Sequence, residues 1–162
     1  MMASGFPSAG LPPVGRVIGR EVTAACAAVV AQDPDALHTV CGRLRAIDEQ
    51  QVRDVLHGLT LGLIEQVFPD GLDAADLRAL LGDVLRPAAA WLPGLEVYPV
   101  AVVVTGVLSV HESGAPPIDA EVLLTACAVV VSHLLERLGT PLDAELARVF
   151  DELRQAQTME MP

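Results

Sequence analysis

The chain has 162 residues, of which 52% are apolar but only 3% aromatic, and its formal net charge is −11. That acidity, without a basic stripe to release counterions, argues against a nucleic-acid partner and against binding to anionic membranes. The length suffices for one domain with a substantial core, and the few aromatic rings leave little surface for stacking on bases or flat cofactors.

The chain begins with a segment rich in Gly, Pro and Ser, which predicts a flexible lead-in over 1–15, a domain over 16–157 and a short tail over 158–162. The lead-in has neither the cationic start nor the apolar run of a signal peptide, so we expect a cytoplasmic protein. All ten basic residues are Arg, and Lys and Asn do not occur, which fits a GC-biased bacterial genome. The three cysteines show no CxxC spacing and stand among apolar residues, as expected for buried thiols in a reducing compartment.

Helix starts are marked by an Ile or Leu before an Asp that can accept hydrogen bonds from the first turn. This pattern occurs in IDEQQV, LDAADL, IDAEVL and LDAELA, and Asp33 before Pro34 indicates a further start. Gly139 stands where a C-terminal cap belongs. Seven helices are predicted, over 16–32, 34–46, 49–67, 74–86, 99–112, 120–138 and 144–157.

Two kinds of helix are distinguishable by the spread of their apolar residues. Outer helices with a single apolar stripe are predicted over 34–46, 74–86 and 144–157. Inner helices, apolar over most of their circumference, are predicted over 49–67, 99–112 and 120–138. On the first inner helix, Gly58 and Gly62 lie about one turn apart, which indicates close contact with another helix.

Seven valines between residues 97 and 110 would ordinarily favour a strand. A single strand cannot pair its backbone groups and no partner strand is apparent, so we predict a buried helix there. The fold class that follows is all-α, a compact single-domain bundle of about seven helices. Residues 63–86 resemble 134–154 when two short gaps are allowed, which raises the alternative of two related helical-hairpin halves.

The segment DAEVLLTACAVVVSHLLERL has too short an uncharged run to span a membrane, which needs about 20 apolar residues, so we predict a central helix. One narrow stripe of this helix lacks large apolar groups and spans about 80° of its circumference. The stripe consists of Glu121, Thr125, Ala128, Ser132 and Glu136. It either faces water or lets a neighbouring helix approach closely, and it is the first candidate interaction face.

Few residues in this sequence are candidates for a catalytic or metal-binding role. His133 and Glu136 are three residues apart on one helix face and form the weak candidate for a metal site, but di-iron bundles repeat Glu-x-x-His on two helices. Ser109 and His111 lie on different faces of one helix and cannot act as nucleophile and base. No phosphate-binding or nucleophile motif occurs. We therefore expect no cofactor, no metal and no enzymatic activity.

Trp91 and Tyr98 flank the LPGLEV connector, either as interface anchors or as lids on the end of the bundle. The leading functional hypothesis is a non-enzymatic adaptor, regulator or assembly component that acts through protein–protein contacts and forms a homo-oligomer, in the simplest case a homodimer. The alternative is a carrier or sensor that binds a small apolar ligand in the helical core. Its polar contacts would come from Thr105, Ser109, Thr125 or His133.

Overall fold

The computed structural model describes residues 12–107 and 117–160, and these are helical over 81% of their length with no strand. The described helices are α1 (Pro13–Val30), α2 (Pro34–Arg45), α3 (Glu49–Val67), α4 (Ala74–Ala88), α5 (Val97–Val107), α6 (Ala120–Leu138) and α7 (Leu142–Glu160). The predicted all-α single-domain bundle is confirmed.

Four of the predicted aspartate caps are present. The side chains of Asp33, Asp48, Asp73 and Asp119 accept hydrogen bonds from first-turn backbone N–H groups of α2, α3, α4 and α6. Asp143 was also predicted to cap a helix, and that prediction is wrong. Because α7 already begins at Leu142, Asp143 lies inside the first turn, where its charge still suits the helix dipole.

Several helix boundaries differ from those predicted. α1 begins at Pro13, not at residue 16, because a proline without an N–H is well tolerated in the first turn of a helix. α4 continues through Pro87 to Ala88, two residues beyond its predicted end at residue 86. α5 begins at Val97, and residues 108–112 of its predicted span lie outside the described part of the chain.

α6 lies at the centre of the bundle and contacts α1, α2, α3, α4 and α5. All six residues from Ala126 to Val131 are buried, so this stretch has no solvent-facing side. The hairpin of α1 and α2 packs along α6, while α3 packs against both α6 and α7. The prediction of a central helix is confirmed.

The α3–α7 contact depends on the two predicted glycines. A Cβ atom at Gly58 would lie 3.1 Å from Cγ1 of the buried Val149, and the guanidinium of Arg148 lies directly against Gly62. Arg148 Nε donates a hydrogen bond to Glu145 Oε2 at 3.0 Å, within α7. The glycines therefore provide the space in which α7 approaches α3, as the sequence predicts.

α6 ends at Gly139, which adopts the predicted left-handed conformation with φ 66° and whose N–H bonds the Leu135 carbonyl at 2.9 Å. Among the described residues, no single helix is long and apolar enough to cross a membrane. α6 and α7 reach that length and hydropathy only as a pair, and the chain bends by 113° between them.

Candidate functional site

The upper half of the predicted stripe on α6 lies against α2. Glu121 forms an ion pair with Nδ1 of His38, and Arg45 Nη1 lies 3.6 Å from its other carboxylate oxygen. The hydroxyl of Thr125 lies 3.7 Å from the sulfur of Cys41. These contacts join α6 to α2 within one chain, which is the close helix approach that was one of the two interpretations of the stripe.

The lower half of the stripe lies against α1 and then leaves the core. Ala128 is buried, and the Ser132 hydroxyl stands beside the thiol of Cys26 without reaching good hydrogen-bond geometry. Glu136 is exposed at the end of the stripe. Four of the five stripe residues are therefore used inside the fold, and the surface that remains for a partner at this stripe is small.

Cys127 lies on α6, Cys26 and Cys41 face α6 from α1 and α2, and each of the three thiols stands beside a hydroxyl from another helix. Besides the contacts of Cys41 and Cys26, the sulfur of Cys127 lies 3.6 Å from the hydroxyl of Thr60 on α3. Burial raises the pKa of Cys26 and of Cys127 from 9.0 to about 11, and it also raises the pKa of Cys41. The thiols stay protonated at neutral pH and have little nucleophilic character.

His133, the weak metal candidate, is half-buried near the end of α6. Its Nε2 atom is buried and has no hydrogen-bond partner in the described structure. Burial lowers the pKa of this imidazole, and the negative charge of Asp83 on α4 partly opposes the effect. Glu136 beside it is exposed. The described residues contain no group of three or more His, Cys, Asp or Glu side chains positioned to hold a metal ion.

Two other candidate positions, Ser109 and His111, lie outside the described residues. The hydroxyl of Thr105 donates to the Ala101 carbonyl of its own helix at 2.7 Å. The hydroxyl of Thr125 instead contacts the sulfur of Cys41 on α2. The two threonines suggested for an apolar-ligand site therefore make separate contacts within the fold.

The two aromatic candidates, Trp91 and Tyr98, differ in how far they are buried. Trp91 is half-buried against the core, and its backbone N–H bonds the Ala88 carbonyl at 3.2 Å, which holds the connector against the end of α4. Tyr98 stands in the first turn of α5 and is 40% exposed. Of the two, Tyr98 presents more of its ring to a partner.

A surface that the sequence did not predict lies on the outward side of α5. Val100 and Val104 point into the core and are fully buried, as expected for an inner helix. Among the described residues α5 contacts mainly α6, α3 and α4, and the side that faces away from these helices is partly exposed. This surface, called the α5 face below, consists of Val97, Tyr98, Ala101, Val102 and Thr105. α5 contains no charged residue, so hydropathy alone gave no sign that one side lies at the edge of the bundle.

A groove of about 270 Å³ lies between α1, α3 and α7. Its apolar lining includes Ile18, Val55, Phe150 and Leu153, and its polar lining includes Gln51, Asp54, Arg154 and Gln157. Sequence reasoning missed the groove because its residues come from three helices that are far apart in the chain and share no motif.

The chain matches no protein-family model, no curated protein and no solved structure.

Proposed function

We propose that this chain is a non-enzymatic interaction protein that forms a homodimer through the α5 face. The observation that carries the proposal is an uncharged, partly exposed helix side in a chain of net charge −11. Val97 is 56% exposed and Tyr98 40% exposed on this side. Exposed apolar groups that share one face of a helix are typical of a contact surface, whereas isolated ones are common on any protein.

A second copy of the chain is the partner that fits this face best. Two molecules of charge −11 repel each other, so their contact costs least where neither contributes a charge. A twofold axis places the same face of each molecule against the other, which requires a self-complementary surface such as an apolar helix side. The Thr105 hydroxyl is already satisfied by the Ala101 carbonyl and demands no polar partner.

The extent of the face sets the expected strength of the dimer. Stable interfaces bury about 800 Å² on each partner, and five side chains on one short helix provide less than that. We therefore expect a dissociation constant in the micromolar range. Added salt should strengthen the dimer, because screening reduces the repulsion between the two acidic molecules.

The wider role that we propose is that of an adaptor, regulator or assembly component. The acidic surface outside the α5 face suits a basic protein surface, because complementary charge steers association. The free, buried thiols of the three cysteines support a reducing compartment such as the cytoplasm. The basic partner and the reducing compartment both extend the dimer proposal. Affinity capture from the native host tests the partner, and localisation of the chain in the cell tests the compartment.

The dimer is tested by sedimentation equilibrium on the full chain over a range of concentrations. We expect the parent to approach twice the monomer mass and the Val97→Glu variant to remain monomeric, since a twofold contact would bring the two new carboxylates close together. Val30→Glu is the matched control, because Val30 is 80% exposed at the end of α1 and the substitution adds the same charge. A parent that stays monomeric at several hundred micromolar, or a Val97→Glu variant that dimerises as well as Val30→Glu, would contradict the proposal.

A further inference from the structure

We infer that the groove between α1, α3 and α7 binds a small organic ammonium ion, that is, a protonated amine on an aliphatic or aromatic body. This goes beyond the proposed dimer, because the groove is lined by helices other than α5. The inference rests on three properties of the groove: its apolar floor, its size and the charge on its rim.

The floor of the groove is apolar, and packing in the core fixes the positions of its side chains. Ile18, Val55 and Phe150 are 1%, 2% and 8% exposed, so their positions are set by packing on their inner sides. Leu153 on α7 continues this lining towards the solvent. At about 270 Å³, the groove exceeds the roughly 150 Å³ cavity that suffices for benzene. A six-membered ring or a short alkyl chain therefore fits.

The rim carries one negative charge that has no cationic partner among the described residues. Asp54 accepts a hydrogen bond from the neutral amide of Gln50 at 2.8 Å, and it forms no ion pair in the described part of the chain. Arg154, the basic residue among the described lining of the groove, has its Nη2 atom 3.4 Å from Asp151. Asp151 partly neutralises Arg154, whereas the Asp54 carboxylate has no ion-pair partner among the described residues.

The rim also offers neutral acceptors for an ammonium group. Gln51 and Gln157 both line the groove, and their amide oxygens can accept the N–H donors that Asp54 does not use. A carboxylate ligand would instead face Asp54 and the overall charge of −11. The groove should therefore prefer a cation to a neutral molecule of the same shape, and a neutral molecule to an anion.

Three probes of one shape test this order: benzylammonium, benzyl alcohol and benzoate, each titrated into the full chain and followed by amide NMR shifts. We expect benzylammonium to bind two- to fivefold more tightly than benzyl alcohol, the range expected for an exposed ion pair. Benzoate should bind most weakly. The largest shift changes should fall on residues of α1, α3 and α7.

Asp54→Asn should make benzylammonium and benzyl alcohol bind equally. The matched control is Asp70→Asn, which removes the same charge from the exposed turn between α3 and α4 and should leave the preference intact. Leu153→Trp should weaken all three probes, because the indole occupies the groove. Val97→Glu should bind like the parent, so that failure of the dimer and failure of the groove are distinguishable.

The inference is overturned by any of three results. The first is that none of the probes binds at millimolar concentration. The second is that the alcohol binds as tightly as the ammonium to the parent, which would make the groove apolar but not selective for cations. The third is that Asp70→Asn removes the preference as fully as Asp54→Asn, since the effect would then come from net charge and not from the rim.

Discussion

α5 and α6 are the most apolar helices among the described residues, but their surroundings are opposite. α6 contacts five other helices and is buried on all sides in its central part. α5 packs against α6, α3 and α4, and it leaves Val97 and Tyr98 partly exposed. The number of neighbours therefore decides how far an apolar helix is buried, and hydropathy alone does not.

The polar residues of the two helices reinforce this lesson. α6 contains polar side chains in and next to its buried stretch, and they mark where other helices approach: Thr125 meets Cys41 of α2, and Cys127 meets Thr60 of α3. α5 contains no charged residue although one side faces outwards. A polar group on the central helix thus indicates a specific helix contact, whereas the lack of a charged residue on α5 does not indicate burial.

The largest expected difference between α5 and α6 is in the free energy of unfolding that is lost when a valine is truncated to alanine. Val130→Ala on α6 should lower the free energy of unfolding by about 2–3 kcal/mol, because two buried methyl groups are lost and a cavity remains. Val97→Ala on α5 should change it by less than about 0.5 kcal/mol, because Val97 is 56% exposed. Urea unfolding at fixed protein concentration measures both.

Fixed concentration is needed because a dimer adds stability that depends on protein concentration. At low protein concentration the monomer dominates, so the unfolding free energies of the two variants can be compared without a contribution from the dimer. Equal losses in the two variants would show that the α5 face is covered in the folded monomer and would remove the contrast between α5 and α6.

Local features of this fold were predictable from the sequence, and edge positions were not. The caps at Asp33, Asp48 and Asp119 depend on residues within one turn, so a short pattern identifies them. The cap predicted at Asp143 failed because α7 already begins at Leu142, which places Asp143 inside the first turn. The α5 face and the groove depend on which helices happen to be neighbours, and no local pattern carries that information.

The second expected difference concerns alkaline pH and the thiols around α6. In the folded chain burial raises the pKa of Cys127 from 9.0 to about 11, so between these values the unfolded thiol ionises while the folded one stays protonated. The unfolded state then binds fewer protons than the folded state, and the stability falls as the pH rises. The loss attributable to Cys127 should be about 1 kcal/mol between pH 9 and pH 10.

Unfolding of the parent and of Cys127→Ala at pH 8, 9 and 10 checks this. The variant has a lower baseline because it loses a buried atom, so the slopes with pH are compared and not the absolute stabilities. Val97→Ala serves as the control on α5 and should keep the slope of the parent. Identical slopes in the parent and in Cys127→Ala would mean that this thiol is accessible to solvent and that α6 is less enclosed than described.

The smallest expected effect comes from adding one methyl group to a glycine, once on α5 and once on the tightly packed α3. A Cβ at Gly106 on α5 meets no atom of the described residues within 4 Å, so Gly106→Ala should stabilise the chain by about 0.5–1 kcal/mol through the lower backbone entropy of the unfolded state. The same substitution at Gly58 on α3 places the methyl 3.1 Å from Val149, which is buried and has little room to move. We expect the clash at Gly58 to cancel the gain, so that Gly58→Ala is neutral or destabilising in the same urea titration. If both substitutions stabilise the chain equally, close packing at Gly58 is not what distinguishes the interior from the α5 edge.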